Sequence, residues 1–254
     1  MTNNDVKIQI KSLMKSFGNH QVLQGIDLDI KKDRSLVILG GSGSGKSVLI
    51  KIIIGLIKPD SGSVLLDGQD IINISHKERL RILENCGFLF QNGALFDSLN
   101  VEDNITFFAE KLYSLKKKEK RELASSKLKS VGLSDRILKL YPAELSGGMQ
   151  KRVSLARSIC TNPKIIFFDE PTTGLDPIMA NVINDLIIKV REELGATTIT
   201  ITHDINSAKM IGQDVAFLHS GKILWHGCLT EMEKTDNPFL HQFINGLTKG
   251  PVTV

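Results

Sequence analysis

The stretch VILGGSGSGKSVLIKIIIG, residues 37–55, predicts a strand, a loop and a helix in that order. Its loop fits the pattern G-x-x-x-x-G-K-[ST], which begins at Gly40 and ends at Gly45, Lys46 and Ser47. Glycines let consecutive backbone N–H groups turn toward an anion, and the following helix adds its unpaired amides and the positive end of its dipole. The pattern predicts a phosphate loop for a nucleoside triphosphate. Its predicted contact residues are Gly40, Gly41, Ser42, Gly43, Ser44, Gly45, Lys46, Ser47 and Val48.

A second motif, IIFFDEP at 165–171, is an apolar strand that ends in two carboxylates. Sheets of alternating strands and helices place their ligands at strand ends. We expect Asp169 to hold magnesium together with the Ser47 hydroxyl, since magnesium prefers oxygen ligands. Glu170 is suited to accept a proton from an attacking water, while Lys46 reaches the β- and γ-phosphates.

Strand patterns alternate with helical ones along much of the chain. The segments 6–10 and 26–30 alternate as strands with one exposed face, whereas four other runs are almost continuously apolar or β-branched and suit a parallel sheet covered on both faces. Two hairpins are expected, one turning at Asp67-Gly68 and one at Ser220-Gly221. The buried strands are predicted at 35–39, 87–90, 165–168 and 197–202.

Residues 101–161 show helical spacing without an intervening strand, which predicts a helical insertion in an α/β core. Within it, KKKEKR at 116–121 is interpreted as a solvated helix start. A further helix is expected at 177–194, with Asp176 as its N-cap and Pro177 at the first position. Beyond residue 230 we expect a short helical piece and then an extended tail.

The composition limits the classes of function. At 254 residues the chain can bury a sizeable core, and its net charge of +4 is too small to argue for nucleic acid as a partner. The N-terminus lacks the pattern of a signal peptide, and the longest apolar stretch, 48–57, is about half a membrane span. We therefore expect a chain that does not cross a bilayer by itself. The three cysteines are far apart and odd in number, which predicts free thiols in a reducing cytosol: Cys86, Cys160 and Cys228.

The order of the remaining motifs resembles that of the nucleotide-binding subunit of ABC transporters. The signature segment, LSGGMQKR at 145–152, carries a second run of serine and glycine at the start of a helix. It lies between the phosphate loop and the Asp-Glu strand end, and GLDP follows at 174–177. The resemblance covers roughly residues 6–230. The resemblance also includes three residues that would be weak indicators of a nucleotide site by themselves, namely Phe17, Gln91 and His203.

The resemblance implies that two subunits stack head to tail with two ATP molecules between them. Each nucleotide lies on the phosphate loop of one subunit and is closed by the signature segment of the other, through Ser146, Gly147 and Gly148. Further roles implied by the resemblance are adenine stacking for Phe17, magnesium and attacking water for Gln91, the γ-phosphate for His203 and the dimer interface for Asp176.

The resemblance also implies a fold and a domain plan. The fold is an α/β P-loop ATPase core, with a mostly parallel sheet between helices, plus an antiparallel β subdomain and a helical subdomain. The nucleotide-binding domain would span 1–230 with the helical subdomain at about 92–160, and 231–254 would form a C-terminal segment. The sequence departs from the family pattern at Val48 and Met149. Neither departure changes Lys46 or Glu170, so we expect the site to be active in ATP hydrolysis.

The particular transport system is indicated by two segments. LFQNGALFDSLNVEDNI at 89–105 and FINGLTKGPV at 243–252 resemble ATPases of bacterial phospholipid-transport systems of the Mla, or MCE-associated, type. That resemblance implies a homodimer on the cytoplasmic face of the inner membrane that maintains outer-membrane lipid asymmetry. It also implies permease subunits, an MCE-domain protein and, in some systems, a small cytosolic regulator.

Two alternatives stay open from the sequence. One is an ATPase that energises an ABC importer for a polar solute. The other is a non-transport ABC protein that acts on DNA or the ribosome. The short spacing between Lys46 and Asp169 leaves no room for the coiled-coil arm typical of that last class.

Overall fold

The computed structural model describes residues 5–252, apart from the side chain of His76, and in this range the chain forms ten strands and nine α-helices. The strands are β1 (Val6–Phe17), β2 (His20–Lys31), β3 (Ser35–Leu39), β4 (Ser61–Leu66), β5 (Gln69–Asp70), β6 (Cys86–Leu89), β7 (Ile165–Asp169), β8 (Thr197–Thr202), β9 (Asp214–His219) and β10 (Lys222–Cys228). The helices are α1 (Lys46–Ile53), α2 (His76–Leu83), α3 (Val101–Tyr113), α4 (Lys117–Ser130), α5 (Gly147–Ser158), α6 (Pro177–Leu194), α7 (Ile205–Ile211), α8 (Leu229–Met232) and α9 (Pro238–Asn245).

The chain divides into two compact units. Unit 1 contains the described residues up to Arg79 and from Ile199 onward, and unit 2 contains residues 80–198. The helix α2 and the strand β8 run across the two boundaries.

The antiparallel sheet of unit 1 has the strand order β2-β1-β4-β5. Ile8 of β1 lies opposite Ile30 of β2 on one side and Leu66 of β4 on the other. Residues 26–30 of β2 alternate between buried and exposed side chains, as predicted for a strand with one wet face. The predicted Asp67-Gly68 turn is also confirmed, because β4 and β5 form an antiparallel pair around it.

Unit 1 also contains the strand that leads into the phosphate loop. All five residues of β3 are buried, and β3 pairs in parallel with β9, with Leu39 beside Phe217. The hairpin of β9 and β10 turns at Ser220-Gly221, as predicted, and the Gly221 carbonyl accepts a hydrogen bond from Gln24 N at 2.8 Å. This contact fixes the antiparallel sheet against the β9–β10 hairpin.

Unit 2 contains the helical insertion predicted from the sequence. Between β6 and β7 the chain forms α3, α4 and α5 and no strand, and α4 starts inside the KKKEKR run. The strands β6 and β7 pair in parallel, and their rings Phe88 and Phe167 stack with centroids 5.3 Å apart. The predicted helix at 177–194 is confirmed as α6, with Asp176 as N-cap and Pro177 at its first position.

The prediction of an extended tail is wrong for the described residues. After α9 the chain bends back, and the buried side chain of Gln242 accepts from Val252 N at 2.7 Å and donates to the carbonyl oxygens of Leu247 and Val252 at 3.1 Å. Gly250 leaves the space for this amide, since a Cβ there would lie 2.3 Å from Gln242 Oε1. Residues 253–254 of the predicted tail lie outside the described range.

None of the helices within residues 5–252 is both long enough and apolar enough to span a membrane.

Candidate functional site

The phosphate loop in unit 1 needs glycine at both ends of its motif. A Cβ on Gly40 would lie 2.2 Å from the carbonyl oxygen of Leu218, so any side chain there collides with backbone. Gly45 has a φ of 106° and a Cβ there would lie 2.9 Å from Leu23. A side chain at either position would therefore displace the loop from β9 or β2.

The loop ends at the N-terminus of α1. Because its N-cap is glycine, no side chain there competes for the amides of the first turn. Lys46 is buried, and its ammonium group donates to the carbonyl oxygens of Gly40 and Gly41 at 2.7 and 2.9 Å. The buried hydroxyl of Ser44 has no hydrogen-bond partner among the described residues, and buried hydroxyls are normally paired. A phosphate oxygen would satisfy this hydroxyl, so the loop fits an anionic ligand.

Two other predicted residues of unit 1 lie at strand ends. Phe17 closes β1 with half of its surface exposed, and the Lys15 ammonium lies 5.3 Å from the centre of its ring. His203 follows β8 and is exposed. Asp204, the next residue, caps α7 by accepting from Asn206 N and Ser207 N. An aromatic face and an imidazole are thus both presented on the surface of unit 1.

In unit 2 the structure brings Gln91 and the two carboxylates to one edge of the β6–β7 pair. The parallel register sets Leu89 beside Phe168, so the residues after both strands leave the sheet at the same edge. Gln91 is exposed, Asp169 is half-buried and Glu170 is buried.

Glu170 has an unusual backbone conformation for a residue with a side chain. Its φ of 47° is in the left-handed region, which costs roughly 1–3 kcal/mol and persists where the surroundings hold it. Thr173 contributes to this hold, because its hydroxyl donates to Glu170 Oε2 at 3.2 Å and its amide to the Glu170 carbonyl at 3.3 Å. The turn fixes both the backbone and the rotamer of the carboxylate.

The signature segment forms an exposed helix N-terminus in unit 2. Ser146 is the N-cap of α5 and accepts from Met149 N at 3.3 Å. Ser146 and Gly147 are exposed, and a Cβ on Gly147 would meet no described atom within 4 Å. The second glycine, Gly148, is half-buried, and a Cβ there would lie 2.5 Å from the end of the Met179 side chain. A ligand can therefore reach the first-turn amides from outside the chain.

Asp176 has the capping role that the sequence predicts. Its carboxylate accepts from Ile178 N and Met179 N, both at 3.0 Å, and the side chain is exposed. Such a cap stabilises a helix by about 1 kcal/mol. Ile178 beside it is 76% exposed.

A row of polar side chains on α5 was not predicted from the sequence. Ser154 donates to the Gly93 carbonyl at 2.9 Å, and Arg157 donates to the carbonyls of Gly93 and Ala94 at 2.6 and 2.7 Å. Lys151 begins the row and donates to the Gln91 carbonyl. Their spacing of three residues places them on one face of the helix. That periodicity was the available signal.

A phosphate loop in one unit and two carboxylates at a strand end in the other indicate an α/β nucleoside triphosphatase. Comparison with known proteins defines the family. A family model described as "ABC transporter" matches residues 23–173. The chain therefore belongs to the ABC transporter family, in which it is an ATP-binding ATPase subunit.

Two curated relatives cover nearly the whole chain. The "Probable ribonucleotide transport ATP-binding protein mkl" of Mycobacterium leprae is 40% identical over 97% of this chain and 71% of that protein. The "Intermembrane phospholipid transport system ATP-binding protein MlaF" of Haemophilus influenzae is 36% identical over 96% of this chain and 92% of that protein.

A solved ATP-binding cassette has the same fold. It is a dimer in a post-hydrolysis state with bound ADP and Pi, and it is 33% identical with a TM-score of 0.80 over 87% of this chain and 98% of that one.

Proposed function

We propose that the chain is the ATPase of a phospholipid transporter that acts between membranes, and that ATP is held between two head-to-tail copies. The observation that carries the composite site is the N-terminus of α5. Its serine and glycines, Ser146–Gly148, open the helix amides to the outside of a single chain, where a nucleotide on a second copy could reach them. The dimeric relative with bound ADP and Pi supports this arrangement.

We assign the roles in the site as follows. The glycines and serines of the phosphate loop surround the phosphates with backbone amides, and Lys46 contacts the β- and γ-phosphates. Phe17 stacks on the adenine, since half of the residue's surface is exposed. His203 contacts the γ-phosphate. Asp176 lies at the interface of the two copies beside the exposed Ile178.

The side chains proposed for magnesium fit that ion in their chemistry. Ser47 offers a hydroxyl, Gln91 an amide oxygen and Asp169 a carboxylate, and magnesium prefers oxygen ligands. Bound there, the ion would neutralise part of the phosphate charge. Gln91 and Asp169 share one edge of the β6–β7 pair, which supports their common role.

Glu170 acts as the general base in this proposal. A bond forms between the water oxygen and the γ-phosphorus, the bond to the ADP oxygen breaks, and the water proton passes to the Glu170 carboxylate. The buried position and the Thr173 hydrogen bond keep the carboxylate in one orientation. Lys46 and His203 offset the negative charge of the phosphates while the bond to ADP breaks.

We propose that closure of the dimer on ATP moves a permease in the membrane through the segment 91–104, and that hydrolysis reopens it. Residues 1–230 would form the nucleotide-binding domain, with the helical subdomain at about 92–160, and 231–254 the C-terminal segment. The assembly would lie on the cytoplasmic face of the inner membrane through its permease subunits. An MCE-domain protein and a small cytosolic regulator would complete it.

The name of the M. leprae relative supports a second candidate function. If its printed substrate applied here, the chain would energise transport of a polar solute. The phospholipid proposal is supported instead by the likeness to the H. influenzae relative across 92% of that protein and by the segments 89–105 and 243–252.

The experiment that separates the two candidates is isolation of the assembly from membranes with the full chain as bait. We expect bound phospholipid in stoichiometric amount, together with a permease and an MCE-domain protein, when lipids and proteins are identified by mass spectrometry. A solute-binding protein, or a bound nucleoside without lipid, would favour the polar-solute candidate and contradict the phospholipid proposal.

A further inference from the structure

The signature helix α5 contacts the edge of the β6–β7 pair at which Gln91 and Glu170 lie. One buried side chain, Lys151, reaches both residues, since its ammonium group donates to the Gln91 carbonyl and lies 3.5 Å from the Glu170 carbonyl. Lys151 belongs to the signature segment but is buried, whereas Ser146 and Gly147 at the start of that segment are exposed. It therefore links three parts of unit 2 that are far apart in sequence.

Both partners of Lys151 lie in chain segments that do not hold their shape through regular structure. Glu170 has a φ of 47°, and the segment after Gln91 includes Gly93 and Ala94, with φ values of 71° and 47°. Glycine adopts this conformation freely, but left-handed residues with a side chain, here Glu170 and Ala94, persist only when other groups fix them. Carbonyl oxygens held by an ammonium group are such a constraint.

The charge of Lys151 also distinguishes it from an ordinary packing residue. Burial lowers the pKa of Lys151, and the nearby carboxylates of Asp169 and Glu170 act in the opposite direction. Burying an ammonium group costs free energy, which the contacts with the two carbonyl oxygens have to offset. A lysine at this position is thus better explained by the carbonyls it orients than by stability.

We propose that Lys151 is a positioning residue for ATP hydrolysis, which holds the backbones of Gln91 and Glu170 in fixed relation to each other and to the signature helix. The inference rests on the proposed function, because it takes Glu170 as the base and Gln91 as a contact of the attacking water. Ser154 and Arg157 of the same helix donate to the carbonyl oxygens of residues 93–94 and hold that segment as well. In this proposal Lys151 acts through these backbones and not by direct contact with nucleotide or water.

The test replaces Lys151 in the full chain and measures ATP hydrolysis in the assembly isolated from membranes. Lys151→Met should lower kcat about tenfold or more, since small displacements of catalytic groups cost up to about 100-fold, while KM for ATP changes less than about threefold. Lys151→Arg should restore part of kcat, because a guanidinium group also donates to two carbonyls. Should Lys151→Met fail to fold, Lys151→Gln, which keeps one amide donor, is judged by the same criteria.

Lys127 provides a matched control in the same unit. Lys127 lies on α4 and is half-buried, and burial lowers its pKa as well. Its ammonium group donates to Asn162 Oδ1 at 2.6 Å. Lys127→Met should shift the unfolding temperature about as much as Lys151→Met and leave kcat unchanged. The inference would be overturned if Lys151→Met kept the wild-type kcat or if Lys151→Arg lost as much kcat as Lys151→Met. It would also be overturned if KM for ATP rose by the same factor by which kcat fell.

The outcome can be distinguished from failure of the proposed function. If Glu170→Gln hydrolyses ATP as fast as the wild type, the assignment of the base fails, whatever the Lys151 variants do. If Glu170→Gln is inactive and Lys151→Met remains fully active, only the positioning role of Lys151 fails.

Discussion

Glu170 combines a buried carboxylate with a strained backbone at the end of a buried strand. A left-handed glutamate costs free energy that glycine would avoid, so its side chain has to contribute something that offsets the strain. Thr173 and Lys151 hold the residue from two directions. A general base held in this way is ready before ATP binds, which reduces the reorganisation needed during hydrolysis.

Glu170→Gln tests the role of this carboxylate. The amide keeps the shape of the side chain but cannot accept the proton, so we expect ATP to bind with nearly unchanged affinity while kcat falls on the order of 100-fold to 10,000-fold. The trapped complex should accumulate as an ATP-bound dimer in size-exclusion chromatography. Glu193→Gln, on the exposed side of α6, is the control and should hydrolyse ATP normally. Full turnover in Glu170→Gln would refute the assignment.

The residues of the phosphate loop could be predicted because their chemistry is local. Gly40, Gly45 and Lys46 lie within seven positions of one another, and backbone geometry alone demands the glycines. The role of Lys151 could not be predicted in the same way. Its partner Gln91 is sixty positions away, so the contact exists only once β6 and α5 have packed.

At the scale of elements, an ion pair fixes the start of β3 against β9. Arg34 donates to both carboxylate oxygens of Asp214, at 2.6 and 2.8 Å, next to the parallel pairing of the two strands. Burial by itself would raise the pKa of Asp214, but the hydrogen bonds and charge of Arg34 outweigh it, and the pKa lies below its usual value. The pair thus supports the strand that leads into the phosphate loop.

Arg34→Met should therefore destabilise the protein in a pH-dependent way. Because the pKa of Asp214 is lower in the folded chain, the pair stabilises the fold above pH about 4 and loses that contribution as the pH falls through the folded pKa. We expect a loss of about 1 kcal/mol at pH 7, discounted for the partial exposure of Arg34, and a smaller one near pH 3. Urea denaturation of both chains at the two pH values measures this, and an equal loss at both would contradict it.

The success of the element predictions depended on how uniform each pattern was. The strands β3 and β8 were predicted with their observed bounds because every residue in them is buried and all but Ser35 are apolar or β-branched. The tail after α9 was predicted wrongly because a single glutamine, Gln242, bends it back. A contact of one side chain with backbone ten residues away leaves no periodic trace in the sequence.

At the scale of the whole molecule, residues 5–252 include two helices with glycine at their start, α1 with the N-cap Gly45 in unit 1 and α5 with the first residue Gly147 in unit 2. The N-terminus of α1 follows the phosphate loop, and the N-terminus of α5 is exposed at Ser146 and Gly147. Each carries a partial positive charge that suits a phosphate group. In the proposed dimer, the nucleotide on α1 of one copy is closed by α5 of the other, so that ATP joins the two copies and its hydrolysis releases them.

Co-expression of two inactive variants tests this arrangement. Lys46→Ala removes the lysine of the phosphate loop, and Ser146→Arg blocks the exposed N-terminus of α5, so neither variant alone should hydrolyse ATP. If the two segments act across the interface, a mixed dimer has one complete site, and random pairing should restore about a quarter of the wild-type sites. Lys46→Ala with Glu170→Gln is the control, because these residues are assigned to the same site and every mixed dimer stays broken. Recovery in neither mixture would show that the site is not shared between copies, and recovery in the control alone would show that Glu170, and not the N-terminus of α5, acts across the interface.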